Sequence, residues 1–319
     1  MHASLRSPLA ALLALLALIG TLFWRVAYPD YMNARTAVAE TPGVRQTAYV
    51  PQGATRLAAG DCYISCGYMN DDTDSRLFLI KDGEAKCVIL QRADGSAYGG
   101  HAGGVTCAGD YVYISNQSQL FVLDAQALLA AKDGETVAFL GSIPVPCNAS
   151  FCSCDGALLY VGEYHADGYE TDESHRVTTP DGSAYQALTF AYRVDPDAEF
   201  GLETAPCAAY AVCDKIQGFA VTPDGTAVLS QSAGYSNSKL LQYRGGGEPD
   251  GTVAIGGADL PLYALDSLRQ TGEMKLPRMS EDLECCDGQI LVSFEACAKK
   301  FYPQLLPFAE DQMVLIAVK

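Results

Sequence analysis

The chain has 319 residues, of which 49% are hydrophobic and 18% are charged, so it can build a sizeable core and is not a disordered chain. It holds 21 basic residues against 38 acidic ones, and the resulting net charge of −17 excludes a surface for nucleic-acid phosphates. Folded binding proteins, enzymes and anchored domains are the classes that remain.

The N-terminal segment is the most apolar stretch of the chain. Positions 8–24 carry no charge, and at about 1.5 Å per helical residue they reach roughly 25 Å, the short end of a membrane span. We predict a signal anchor at 1–28, single-pass in the cell membrane, and a polar tether at 29–43. A short tail before a first apolar segment places the acidic remainder outside the cytoplasm. The alternative is a cleaved signal peptide and a secreted protein.

Residues 44–319 contain one pattern five times. Each copy has a small or polar opening, an alternating apolar run, a turn of Gly and Asp, and a second apolar run, which is typical of a β-hairpin. The copies begin at Gln52, Ala102, Ala149, Gln217 and Glu281. A third strand follows every hairpin and a fourth often does, so the sequence predicts four-stranded antiparallel blades that repeat around a ring.

The predicted fold is therefore all-β, a five-bladed β-propeller of four-stranded antiparallel blades after an N-terminal membrane helix. The fifth unit has no fourth strand before the chain stops, so the segment 44–50 is predicted to supply it and close the ring. A fourth strand is predicted at 137–143 for the second unit and a short helix at 125–131. The insert at 245–265 leaves a sixth blade open as an alternative.

Several openings resemble those of bacterial secreted or membrane-anchored β-propellers, loosely the NHL-like and gluconolactonase-like ones. The resemblance covers 44–319 and is carried by Gln52-Gly53, Gln217-Gly218, the His101-Ala-Gly-Gly104 opening and the segment 277–283. It implies the architecture far more than an activity.

A divalent metal belongs to the gluconolactonase-like enzymes, which hold it with Glu, Asn and Asp on the central channel. The resemblance offers Glu281, Asn148 and Asp282 for those roles. The flanking pattern and the blade count differ from that family, so its activity is not carried over. No other cofactor is evident, and a divalent cation is the one that the residues allow.

One face of the disc gathers the inner-strand openings and the loops after the second strands, and such loops commonly carry function. A ring of amides, carboxylates and histidines around a channel mouth suits a polar ligand. The alternative is that these groups bind water and cap the strand ends. The predicted binding residues are Gln52, His101, Asn148, Glu163, His165, Gln217 and Glu295.

Three residues are the catalytic candidates. His101 lies between glycine pairs, where the bare backbone eases ligand approach, and its side chain titrates near neutral pH. Its alternative role is a hydrogen bond to a neighbouring blade. Glu281 and Asp282 are adjacent acids, and two carboxylates facing one channel would raise one pKa or attract a cation. One of the two must point away, because strand neighbours alternate faces.

The chain also has twelve cysteines and no CxxC pair. We predict that most are small buried apolar side chains, and one to three disulfides are the alternative.

The functional prediction is an extracytoplasmic, membrane-anchored β-propeller that binds an unidentified small molecule or protein partner at one face of the disc. Its partners would be the membrane, through the N-terminal segment, and that ligand, with no nucleic acid. The alternative is a metal-dependent hydrolase or lyase of the propeller type, with its site at the central channel. The sequence does not decide whether the protein is an enzyme.

Overall fold

Five antiparallel sheets make up the core of the protein, which we describe from a computed structural model. The structure describes residues 8–302, 304 and 307–318. The sheets are the blades of a five-bladed β-propeller, and the predicted all-β fold is therefore confirmed. We number the blades 1 to 5 in the chain order of their inner strands.

The N-terminal elements are α1 (Pro8–Ala27), α2 (Pro29–Ala34) and β1 (Arg35–Glu40). Among the residues that the structure describes, no helix has both the length and the apolar character that crossing a bilayer requires. The transmembrane helix predicted within 1–28 is therefore not supported, and residues 1–7 of that segment lie outside the described residues.

The first three blades follow in chain order. Blade 1 consists of β2 (Tyr49–Leu57), β3 (Cys62–Met69), β4 (Arg76–Lys81) and β5 (Glu84–Gln91). Blade 2 consists of β6 (Gly104–Ala108), β7 (Tyr111–Asn116), β8 (Gln119–Asp124) and, after α3 (Ala125–Ala130) and β9 (Glu135–Ala138), β10 (Gly141–Pro144). Blade 3 consists of β11 (Ala149–Cys154), β12 (Leu158–Glu163) and, after β13 (Val177–Thr178) and β14 (Ala184–Tyr185), β15 (Ala187–Arg193) and β16 (Ala208–Val212).

The last two blades complete the ring. Blade 4 consists of β17 (Ile216–Val221), β18 (Thr226–Gln231), β19 (Ser238–Arg244) and, after β20 (Gly251–Ile255) and β21 (Ala258–Ala264), β22 (Gln270–Leu276). Blade 5 consists of β23 (Ser280–Cys286), β24 (Gln289–Phe294), β25 (Gln312–Ile316) and the N-terminal strand β1.

Ring closure joins the two ends of the described chain. Strand β1 pairs antiparallel with β25, from Arg35 opposite Ile316 to Glu40 opposite Gln312. An N-terminal strand does close the ring, but the predicted segment 44–50 was wrong, because residues 35–40 pair with β25. The tether predicted at 29–43 was wrong for the same reason. Residues 44–48 form turns, and residues 49 and 50 begin β2.

Aromatic side chains fasten the N-terminal segment to blade 5. The Tyr31 hydroxyl donates a hydrogen bond of 2.7 Å to the buried Glu310 carboxylate. The rings of Trp24 and Tyr28 lie with their centroids 5.6 and 5.4 Å from that of Phe308. The chain is therefore part of the propeller from the last turn of α1 onward.

Two blades carry extra strands on their outer edges. Strand β9 pairs parallel with β5 of blade 1, and the hairpin of β20 and β21 pairs parallel with β16 of blade 3. The insert at 245–265 therefore extends blade 3 and forms no sixth blade. The single strand predicted at 137–143 is split between β9 and β10, because Phe139 turns inward and packs 4.9 Å from both Tyr98 and Phe121.

The inner strands meet so closely at the axis that glycine is required there. A Cβ atom on Gly104 would lie 2.5 Å from the Cys152 backbone nitrogen and 2.8 Å from Asp282 Oδ2. Gly53 and Gly218 occupy the equivalent position in blades 1 and 4, and a Cβ on either would lie 2.7 Å from a neighbouring backbone nitrogen. The recurring Gln-Gly openings are thus explained by packing at the axis.

All twelve cysteines are free thiols, and six of them are buried. Half of the cysteines are thus small buried core side chains, fewer than the majority that the sequence predicted.

A buried carboxyl, Glu284, closes the axis at the mouth opposite the inner-strand openings. It accepts hydrogen bonds from the Thr55 and Thr106 hydroxyls at 3.1 and 2.5 Å and from the Cys154 backbone N–H at 3.2 Å. Burial nevertheless raises the pKa of Glu284 to about 7. The folded protein therefore binds the Glu284 proton more tightly than the unfolded chain does.

This gives a pH-dependent stability difference between the wild type and Glu284→Gln. At pH values below the unfolded pKa, Glu284 is protonated in both the folded and the unfolded state and its burial has no ionisation penalty. As the pH rises toward 7, only the unfolded chain loses this proton, so the folded state becomes less stable. We expect the two proteins to match at pH 4 and Glu284→Gln to be the more stable by on the order of 3 kcal/mol at pH 8. Urea unfolding at both pH values measures this, and a stability difference that does not change with pH would contradict the assignment.

Candidate functional site

A cavity of about 600 Å³ opens at the mouth where the inner strands begin. We call it the axial pocket. Residues of all five blades and of the loop after β24 form its wall. Its polar and aromatic side chains are Gln52, Tyr68, His101, Asn116, Gln117, Asn148, Ser150, Tyr164, Tyr169, Gln217, Glu281, Glu295, Lys300 and Phe301.

Six of the residues singled out in the sequence lie together in this wall. They are Gln52, His101, Asn148, Gln217, Glu281 and Glu295. The openings of the repeats, which are far apart in the chain, are thus neighbours around one cavity. Three others, Asp282, Glu163 and His165, do not line it.

Irregular pairing in the inner strands turns the opening residues toward the pocket. The register of β2 against β3 shifts between Pro51 and Gly53, and that of β17 against β18 shifts between Ile216 and Gly218. A β-bulge leaves the extra residue outside the hydrogen-bonded ladder and re-aims its side chain. The glutamine before each glycine is that residue, which explains why an amide faces the cavity from both blades.

His101 forms one side of the pocket together with Tyr68. The two rings are stacked with centroids 4.7 Å apart and planes 22° apart. The Asn116 side-chain oxygen accepts a 3.0 Å hydrogen bond from the His101 backbone N–H and so fixes the loop. Partial burial of the ring and the nearby Lys300 ammonium lower the pKa of His101. The imidazole is therefore neutral at neutral pH.

Two carboxyls, Glu281 and Glu295, form the floor of the pocket. Glu281 is the second residue of β23 and is buried, and Glu295 follows β24 directly and is half-buried. The two carboxyls are neighbours, and the Gln52 amide donates a 3.1 Å hydrogen bond to Glu295 Oε2. Burial first, and then the neighbouring Glu295, raise the pKa of Glu281 well above its usual range. This pair retains a proton where an isolated carboxyl would have lost it.

Asp282 points away from the pocket and into the axis. Its Oδ2 accepts a 3.0 Å hydrogen bond from the Val105 backbone N–H, while its Oδ1 is buried without a partner. The adjacent acids thus face opposite directions, with Glu281 at the pocket and Asp282 between the blades. Asp282 ties inner strands together and does not reach a ligand in the pocket, which corrects its place among the catalytic candidates.

Glu163 and His165 were placed at the mouth by the sequence, and the structure puts them elsewhere. Glu163 is buried and bonds His175 Nδ1 at 2.7 Å, and it also accepts from the Leu188 backbone N–H. His165 Nδ1 lies 2.9 Å from Asp214 Oδ1. The histidine that bonds Glu163 lies in the long insertion between β12 and β15, and the aspartate that bonds His165 lies in the turn between β16 and β17. Neither segment belongs to the repeat.

The residues suggested for a metal do not form a ligand set. Asn148 and Glu281 line the pocket, but Asp282 lies beneath it. Across the part of the chain that the structure describes, no group of three or more His, Cys, Asp or Glu side chains is placed to hold a metal ion.

The pocket wall also holds residues that the sequence did not single out for binding, among them Asn116, Tyr164, Tyr169, Lys300 and Phe301. Asn116 ends β7 at the position that Glu163 occupies in β12, so the repeat itself could have indicated it. Tyr164 and Tyr169 lie in the loop after β12, with ring centroids 5.5 Å apart. Lys300 and Phe301 come from the loop between β24 and β25, for which no repeat signal exists.

Comparison with known proteins shows a likeness in fold. No protein-family model and no curated protein matches the chain. The PQQ-bound aldose sugar dehydrogenase of Streptomyces coelicolor is 13% identical with a TM-score of 0.45, over 82% of this chain and 78% of that one. The hydrazine synthase of Kuenenia stuttgartiensis is 11% identical with a TM-score of 0.38, over 84% and 74%.

A third similar structure comes from a nidogen/laminin complex, with 10% identity and a TM-score of 0.38 over 77% of this chain and 73% of that one. These likenesses concern the β-propeller architecture. The finer resemblance to NHL-like and gluconolactonase-like propellers stays a prediction.

Proposed function

We propose that the protein is a binding β-propeller that holds a small polar ligand in the axial pocket. The observation that carries this proposal is the convergence of polar side chains from the inner strands of different blades on one cavity of about 600 Å³. Ligand sites are typically concave, of about 300–1,000 Å³, with a few converging polar groups. The amides of Asn148 and Gln217 can each donate and accept hydrogen bonds to such a ligand. The Gln52 amide oxygen can accept one, because its two N–H groups donate to the Pro51 carbonyl and to Glu295.

The metal-dependent hydrolase or lyase has less to support it, because the described residues offer no group of three ligands at the pocket. The extracytoplasmic location and the membrane attachment stay predictions of the sequence.

The proposal is tested by screening the full chain for thermal stabilisation by monosaccharides, amino acids, small amines and nucleosides. A ligand of the pocket should bind Gln217→Ala about fivefold or more weakly, since one hydrogen bond to a ligand contributes about 1 kcal/mol. Gln126→Ala is the matched control, because Gln126 is exposed on α3 and away from the pocket. A ligand that binds wild type and both variants equally well would contradict the pocket as the binding site.

A further inference from the structure

The carboxyl pair at the floor of the axial pocket holds a proton for a structural reason. Two neighbouring carboxylates in a buried site repel each other, so Glu281 and Glu295 are not both ionised while the pocket is empty. The Gln52 amide already donates to Glu295, and Glu281 has its side chain against the cavity. The pair is therefore an acidic site in which a proton occupies the place of a cation.

The charges around the pair leave it short of positive charge. Asp282 lies beneath the pair and Tyr68 and Tyr164 lie beside it, and each of them is acidic or neutral. Lys300 is the lysine that lines the pocket among the residues that the structure describes, and it approaches Glu295 from the exposed rim.

Lys300 is itself held away from the floor. Its Nζ donates a 2.6 Å hydrogen bond to the Tyr68 hydroxyl and lies 5.1 Å from the centres of the Tyr68 and Phe301 rings. One ammonium at the rim does not neutralise two carboxyls at the floor.

Aromatic rings form the walls above the pair. Tyr68 and His101 are stacked on one side, and Tyr164 and Tyr169 meet edge to face on another, with planes 86° apart. The faces of such rings attract cations, and this attraction adds to that of a carboxylate when water is excluded. A floor of acids under walls of tyrosine suits an ammonium or guanidinium group better than it suits an anion or a neutral hydroxyl.

We propose that the ligand of the axial pocket is a small organic cation whose ammonium or guanidinium group binds between Glu281 and Glu295 and is flanked by the tyrosine rings. The inference rests on the proposed function and specifies its ligand class. Binding exchanges one positive charge for another: the cation enters, both carboxyls ionise, and the shared proton leaves to solvent.

Because a proton leaves when the cation binds, the affinity for the cation should rise with pH. Burial raises the pKa of Glu295 to about 7, and that of Glu281 is raised as well. Protons therefore compete with the cation below neutral pH and release the site as pH rises. Affinity for a cation should increase about tenfold for each pH unit below that pKa, because one proton is displaced.

The experiment is calorimetric titration of the full chain with choline, putrescine, glucose and succinate at pH 6 and pH 8, each in two buffers of different ionisation enthalpy. We expect choline or putrescine to bind at least fivefold more tightly at pH 8 than at pH 6. We expect up to one proton to be released per cation at pH 6. Glucose and succinate should bind at least tenfold more weakly than the cation.

Variants test whether the pH-dependent affinity and the proton release arise from Glu281 and Glu295. Glu281→Gln keeps the shape of the side chain, and it should lose both the proton release and at least tenfold of the cation affinity. Glu84→Gln changes an exposed glutamate of β5 and should behave as the wild type. If Glu281→Gln does not fold, Glu295→Gln provides the same comparison.

Other outcomes overturn the inference. Binding of glucose or succinate in preference to the cations would overturn the ligand class and leave the proposed binding function standing. Cation binding that is independent of pH and unchanged in Glu281→Gln would overturn the site. If no probe and no compound of the thermal screen binds, both the inference and the proposed function fail.

Discussion

A chain that begins at residue 44 is expected to be largely unfolded. It lacks β1, so blade 5 keeps three strands and the buried residues Val314 and Ile316 of β25 lose the strand that pairs with them. It also lacks Tyr28 and Tyr31, which are buried against blade 5. Burying one such side chain contributes about 1.5–3 kcal/mol, so the total loss of about 5 kcal/mol or more approaches the whole stability of a typical domain.

The comparison that isolates this effect is a chain beginning at residue 24, which keeps Trp24, both tyrosines and β1. Far-UV circular dichroism and urea unfolding should show a cooperative transition for the longer chain and none, or one at much lower urea, for the shorter. A point variant carries the same expectation: Tyr31→Ala should lower the free energy of unfolding by about 3–5 kcal/mol. Equal urea midpoints for the two chains would show that ring closure by β1 is not needed.

Gly104→Ala is expected to destabilise the protein by about 3 kcal/mol, at the upper end of the range for overpacking. The new methyl group would lie 2.5 Å from the Cys152 backbone nitrogen and 2.8 Å from Phe151 Cα. Both are main-chain atoms of an inner strand in the next blade, so the clash cannot be relieved by a side-chain rotation and the blades must separate.

Gly246→Ala is the matched control for that variant. Nothing lies within 4 Å of a Cβ at Gly246, and its backbone is not left-handed. An exposed change of this kind should alter stability by no more than about 0.5 kcal/mol. Denaturant unfolding of both variants measures the contrast, and Gly104→Ala with wild-type stability would refute the close approach at the axis.

The blades could be predicted because each hairpin is encoded locally. The helix predicted at 125–131 was observed within one residue as α3 (Ala125–Ala130). The closing strand was misplaced, because 35–40 fell in the segment predicted as a polar tether and only its pairing with β25 makes it a strand. That pairing joins two strands that are far apart in the sequence, and no local sequence pattern predicts it.

The candidate site was also predicted only in part, where its residues belong to the repeat. The repeat brought Gln52, His101 and Gln217 to one mouth, because equivalent positions of a propeller share a face. Glu163 was misplaced because His175, which bonds it, lies in an insertion outside the repeat. Lys300 was missed because its loop has no counterpart in the other blades. Sequence periodicity predicts which positions are equivalent between blades, but it does not predict insertions that occur in one blade alone.

The pairing of β1 with β25 has a consequence for how the protein is made. The Arg35 and Gln312 side chains, which hydrogen-bond across this junction, are 277 positions apart in the chain. Strand β1 must therefore wait, unpaired, until β25 has been translated. Contacts of such long range also slow folding. The nascent protein thus depends on whatever protects an open strand edge during synthesis, and its ring closes only once β25 has emerged.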